Sequence, residues 1–110
     1  MVKSSTHALD DIFHALSDRT RRSILTDIAR GERTVGRLAK PYRMSLAAVS
    51  KHLNVLEAAH LVGRKRVGRF QVVSLRVEPL RVANDWIAAY EKFWGERLDA
   101  LQDLLEKHAT

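Results

Sequence analysis

The chain has 110 residues, 45% hydrophobic and 29% charged, which is the make-up of one globular domain and excludes a disordered polymer. It has no cysteine, and so no disulfide framework, thiolate metal site or cysteine nucleophile. The formal charge of +6 is unevenly spread: residues 30–81 hold twelve Lys or Arg against three acids, whereas the flanks hold seven against ten. Such a concentrated positive field suits a polyanion, either nucleic acid or an anionic membrane surface.

The opening MVKSSTHALDD lacks a signal-peptide apolar core, and no run approaches the ~18 apolar residues of a membrane span, so a cytoplasmic protein is expected. A chain this short builds one small core, and an apolar element left outside it calls for a second copy. No linker or repeat divides the sequence, so residues 1–110 are read as one domain.

Leu9, Ile12, Phe13 and Leu16 recur at helical spacing, with Thr6 as N-cap of a first helix. A second helix follows in SDRTRRSILTDIARG, capped by Ser17 or Asp18, striped by Ile24, Leu25 and Ile28, and ended by Gly31 in a left-handed C-terminal position. Thr34 caps a third, short helix through Val35, Leu38 and Ala39, which Pro41 is expected to stop.

Ser45 caps a fourth helix running to about Ala59, so residues from about 34 to 59 have a helix-turn-helix layout. On this helix Leu46, Val49, Leu53 and Leu56 form an apolar row that should hold it down. Ala47, Ser50, Lys51 and Asn54 then point outward, with small residues near the N-terminus, as a helix entering a major groove requires.

From about 61 to 77 the period changes to that of strands, and Gly68 turns a β-hairpin carrying Arg64, Lys65, Arg66 and Arg69. A wing along a nucleic-acid backbone needs that density of cations to neutralise phosphates. Pro79 suits the first turn of a last helix spanning about 79 to 108, in which Gly95 is a weak point. Trp86, Tyr90, Trp94, Leu98, Leu101 and Leu105 lie along one side of it, and with Leu9 and Phe13 of the first helix they are read as a homodimer interface. An aromatic pocket for a small ligand is the less favoured use of the row.

FHALSDRTRRSIL, TVGRLAKPYRMSLAAVSKHLNVLEAAHLV and the basic hairpin together resemble the ArsR-type winged helix-turn-helix transcriptional regulators, over about residues 9 to 108. The ending WIAAYEKFWGERLDALQDLLE is similar to the subgroup without cysteine metal sites. The resemblance implies a mainly α fold of about five helices plus a wing. It further implies a homodimer built from the first and last helices, and a repressor that occludes a promoter by binding a pseudo-palindromic operator in double-stranded DNA.

By position, Ser45, Ala47, Ser50, Lys51 and Asn54 would read bases, while Arg43, Arg64, Lys65, Arg66 and Arg69 would hold the backbone. Three residues depart from the family pattern: Arg19 and Ala47 stand where proline is usual, and His60 takes a glycine place and should adopt a left-handed conformation.

No metal or other cofactor is expected. VGRLAK offers no ligand on the third helix, Asp103 and His108 point apart, and His7, Asp10, Asp11 and His14 are read as ordinary helix-surface residues in preference to a weak site. His52 is assigned to packing or backbone bonding. There is no glycine-rich phosphate loop, nucleophile elbow or His-carboxylate pair, so no enzyme is expected. A winged-helix dimer whose basic face docks an acidic protein, with only non-specific DNA affinity, is the alternative. Membrane binding ranks lower, because the cations lie in a hairpin and not on an amphipathic helix. No residue pattern identifies an inducer.

Overall fold

The computed structural model describes the backbone of residues 2–109 and the side chains of residues 8–108. Helices α1 (Val2–Leu16) and α2 (Arg19–Ala29) are followed by a short strand β1 (Arg33–Thr34), α3 (Val35–Ala39) and α4 (Leu46–Ala58). The hairpin β2 (Val62–Val67) and β3 (Phe70–Leu75) leads into α5 (Glu78–Ala109). No helix among the described residues is long and apolar enough to cross a membrane.

Local chemistry explains most boundaries. The Asp18 carboxylate accepts from the Arg21 backbone N–H at 3.0 Å, Thr34 Oγ1 from Arg37 at 3.3 Å and Ser45 Oγ from Ala48 at 3.1 Å, each satisfying a donor that the first helical turn leaves unpaired. Thr6, read as the cap of α1, falls inside the helix, because Val2–Ser5 contains no glycine or proline to stop propagation.

Pro41 does not end the helical path outright. Lys40 stays right-handed helical and Lys40–Tyr42 tightens into a 3₁₀ turn, which reaches its reversal at Arg43, φ 51°. Tyr42 Oη donates to Asp27 Oδ2 at 3.1 Å, tying this turn to α2. Burial first, and this bond second, raise the Tyr42 phenol above its ordinary pKa.

The end of α4 takes the form expected for a left-handed cap. His60 has φ 60°, its N–H donates to Glu57 O at 2.9 Å, and Leu61 N–H reaches Leu56 O at 3.0 Å. This reversal drops Leu61 and Val62 into the core. Gly68, at φ 61°, makes the hairpin turn.

The hairpin gains a third strand: β1 pairs with β3, giving the order β1-β3-β2, all antiparallel. Two residues are too few to display a strand period, so β1 is invisible in the sequence pattern. The core gathers Ile24, Leu25 and Ile28 of α2, Leu38 of α3, Val49, Leu53 and Leu56 of α4, and Val62 and Val73 of the sheet.

Leu46 is not part of it. This residue, expected to anchor α4, is 59% exposed, because the first turn of the helix projects beyond the packed layer.

α5 continues unbroken through Gly95 and spans about 48 Å at 1.5 Å per residue. Beyond Ala83 nearly all of it is exposed. The radius of gyration is 19.2 Å, against about 13 Å for a compact domain of this length. The surface of 8413 Å² likewise exceeds the about 6,200 Å² expected of a compact monomer of this mass.

The caps can be tested by their effect on stability. Replacing His60 with glycine relieves the left-handed strain and should raise stability by about 1 kcal/mol, whereas His60→Val should lower it, both measured by urea unfolding. Asp18 is held below the ordinary carboxylate pKa of 3.8, chiefly by the Arg21 backbone N–H, with burial opposing. Its contribution is therefore present above the unfolded pKa and lost as pH falls through the lower folded value. Asp18→Ala should cost about 1 kcal/mol at pH 7, and the gap from wild type should narrow steadily in unfolding experiments from about pH 5 towards about pH 3.

Candidate nucleic-acid interface

The exposed edge of α4 and the wing lie on one side of the sheet and helix core. Val49, Leu53 and Leu56 have no exposed surface, which fixes the rotation of α4 about its own axis. Ser45, Ala47, Lys51 and Asn54 are consequently exposed, and Ser50 is half-buried. The N-terminal end of α4 also carries the positive end of the helix dipole, favourable to an approaching phosphate.

A polar cluster at the junction of α1 and α2 braces α4 from behind. Arg21 Nε donates to Ala15 O at 2.8 Å and its Nη2 to His14 O at 2.9 Å, while Arg22 Nη1 donates to Leu16 O at 2.7 Å. These two side chains satisfy carbonyls that the end of α1 leaves without intrahelical partners. Arg21 Nη1 lies 3.4 Å from His52 Nδ1, and Asp18 Oδ2 lies 3.9 Å from the same nitrogen. His52 thus packs towards α2 and away from the outer edge of α4. Neither arginine stands out in the sequence pattern; the only signal is a basic pair in the first turn of a helix, directly after another helix end.

The wing cations divide by register. Arg64 pairs across the sheet with the buried Val73, so it shares the face turned towards α4, whereas Lys65 pairs with Val72 on the opposite face. Arg64 Nη2 donates to Asn54 Oδ1 and, at 3.2 Å, to Glu57 Oε1. Both Arg64 and Asn54, expected to face DNA directly, are therefore engaged with each other. Alternation within the strand was the signal that could have separated Arg64 from Lys65.

Lys65, Arg66 and Arg69 are exposed, and among the described residues no carboxylate pairs with them. Arg66 Nε donates to Gly68 O at 3.3 Å, and the Arg69 guanidinium lies 5.8 Å from the Phe70 ring centre. Arg43 is exposed at the turn before α4. Between the start of α4 and the wing tip an open groove of about 750 Å³ is lined by Arg37, Lys40, Leu46, Arg69 and Phe70, among others. Its cations Arg37 and Lys40 enlarge the positive surface beyond the expected residues.

On the far side, α1 and α5 meet through Phe13 and Trp86, edge to face at 5.6 Å, and Trp86 stacks on Tyr90 at 4.9 Å. Tyr90 and Trp94 follow at 6.0 Å, and Leu9 lines a cleft with Phe13 and Trp86. Trp86, Tyr90 and Trp94 are 45 to 47% exposed, and Leu98, Leu101 and Leu105 are 50 to 61% exposed beyond them, so the described residues leave much of this row open. No group of three or more His, Cys, Asp or Glu able to hold a metal occurs among the described residues; the His7 side chain lies outside them.

Residues 16–62 match the helix-turn-helix domain family. SdpR, a transcriptional repressor of Bacillus subtilis (strain 168), is 34% identical over 79 residues, covering 72% of this chain and 88% of SdpR. The crystal structure of an ArsR family transcriptional regulator, RHA00566, superposes with a TM-score of 0.77 at 34% identity, covering 82% of this chain and 93% of the other. The chain belongs to the ArsR family of transcriptional regulators. It is a winged helix-turn-helix protein, and its relatives are regulators and not enzymes. A further neighbour is a fragment of Mb0332 from Mycobacterium bovis, a homodimeric winged helix-turn-helix DNA-binding domain and a possible ArsR-family transcriptional regulator. It has a TM-score of 0.64 at 28% identity and covers 80% of this chain and 83% of the fragment.

Proposed function

We propose that this ArsR-family protein is a homodimeric, sequence-specific DNA-binding repressor that occupies its promoter in the cytoplasm. The observation that carries this reading is the exposed polar edge of α4 set beside unpaired wing cations, on a core that leaves that edge free. Ser45, Ala47, Ser50 and Lys51 read base edges, while Arg43, Lys65, Arg66 and Arg69 hold the backbone. Arg37 and Lys40, facing the neighbouring groove, add phosphate contacts.

Two copies join through α1 and α5, covering Leu9, Phe13, Trp86, Tyr90, Trp94, Leu98, Leu101 and Leu105. The exposed length of this row and the homodimeric Mb0332 fragment support the pairing. Twofold symmetry then calls for a pseudo-palindromic operator with half-sites about one helical turn, ~10 bp, apart or at a multiple of it. Repression is supported by the similarity to SdpR, a transcriptional repressor, and exclusion of polymerase is the mechanism proposed for it.

Selection from a random DNA pool followed by footprinting should give a discrete protected site with two half-sites. Absence of discrete protection at physiological salt would refute sequence-specific binding. Arg66→Ala and Arg69→Ala should each weaken binding to every duplex and reduce the slope of log affinity against log salt by about 0.9, whereas substitutions at Ser50 should change which bases are preferred. Leu98→Asp together with Leu101→Asp should sediment as a folded monomer with greatly reduced operator affinity; an unchanged dimer would remove α5 from the interface.

A further inference from the structure

We propose that Arg64 is a positioning residue: it struts the wing against the recognition helix and does not contact phosphate. The inference rests on the DNA-binding reading for its functional consequence, but its geometry stands independently. Arg64 sits in the inner half of β2, on the same face as the buried Val62 two residues before it. Its side chain is only 13% exposed, in contrast to the open side chains of Lys65, Arg66 and Arg69.

The guanidinium reaches across to two acceptors one helical turn apart on α4, the Asn54 carbonyl oxygen and the Glu57 carboxylate. A single terminal nitrogen, Nη2, holds both, and the rigid guanidinium plane fixes the directions of its two N–H bonds, whereas a lysine ammonium rotates freely at the end of a flexible chain. Two anchor points spaced along a helix restrain its tilt against the strand as well as its distance. The angle between α4 in a groove and the wing on the backbone is the quantity so fixed.

The pairing has an electrostatic consequence. A cation already matched to a carboxylate displaces few DNA counterions, so Arg64 contributes little to the salt dependence of binding. Glu57, a negative charge on the helix that approaches DNA, would be a liability on charge alone. Its place is explained if it anchors Arg64.

The test compares wild type, Arg64→Ala, Arg64→Lys and Glu57→Ala on the selected operator and on a scrambled duplex over a range of salt. All three variants should lose about tenfold in operator affinity, while the Arg64 variants keep scrambled-duplex affinity and a wild-type salt slope. The loss in Glu57→Ala despite removal of an acid, and the loss in Arg64→Lys despite retention of the positive charge, separate geometry from charge. A salt slope lowered by about one in Arg64→Ala, or tighter binding by Glu57→Ala to both duplexes, would overturn the proposal.

Hydrogen exchange of the DNA-free protein supplies a second arm. Arg64→Ala and Glu57→Ala should both hasten amide exchange in β2 and in the last turn of α4, and wild-type exchange rates there would overturn the strut. Should wild type select no DNA sequence, the functional reading fails while the exchange result still judges the strut.

Discussion

Everything on the proposed DNA-facing side depends on the burial of three side chains under α4. Val49, Leu53 and Leu56 are sealed from solvent, and at roughly 1.5 to 3 kcal/mol for each large aliphatic group their burial far exceeds what any exposed ion pair nearby supplies. Apolar packing is non-directional, however, and fixes depth better than angle. The angle comes from polar contacts at the two flanks: His52 against Arg21 at 3.4 Å on one, Asn54 and Glu57 bonded to Arg64 on the other. What these contacts leave free on α4 is the edge carrying Ala47, Ser50 and Lys51, beside the Ser45 cap.

The sequence disclosed those features whose cause is local. Caps at Asp18, Thr34 and Ser45 need only a side chain three residues ahead of an amide, while the left-handed His60 followed from the glycine place it takes in the family pattern. The fold class and the α5 row were legible because periodicity over many residues averages out exceptions. Features with distant causes were not legible. β1 exists because β3 offers it a ladder, Leu46 is exposed because the core stops short of the first turn of α4, and Arg64 turns inward because Asn54 and Glu57 await it. Charge density alone ranked Arg64 with Lys65, Arg66 and Arg69, although strand alternation distinguishes Arg64 from Lys65.

The departures from the family pattern find structural settings. Arg19, in place of proline, begins α2 with an ordinary residue while Asp18 supplies the cap. Ala47 lies in the exposed first turn of α4, where the Ser45 cap orders the helix start without a proline ring. Left-handed His60 is the costly one, and it persists because the reversal it permits carries Leu61 and Val62 into the core.

Arg21 gives the protein a direct mechanical path between its two proposed interfaces. Its guanidinium holds the carbonyls of His14 and Ala15 at the end of α1 and meets His52 on α4. α1, in turn, meets α5 through Phe13 and Trp86, within the row assigned to dimer pairing. A rotation of α1 relative to α4 must therefore break these bonds or carry α4 with it. Because close-packed interiors deform little, carrying is the less costly response for small displacements. In a dimer joined through α1 and α5, the separation and tilt of the two α4 helices would follow the packing of the aromatic row.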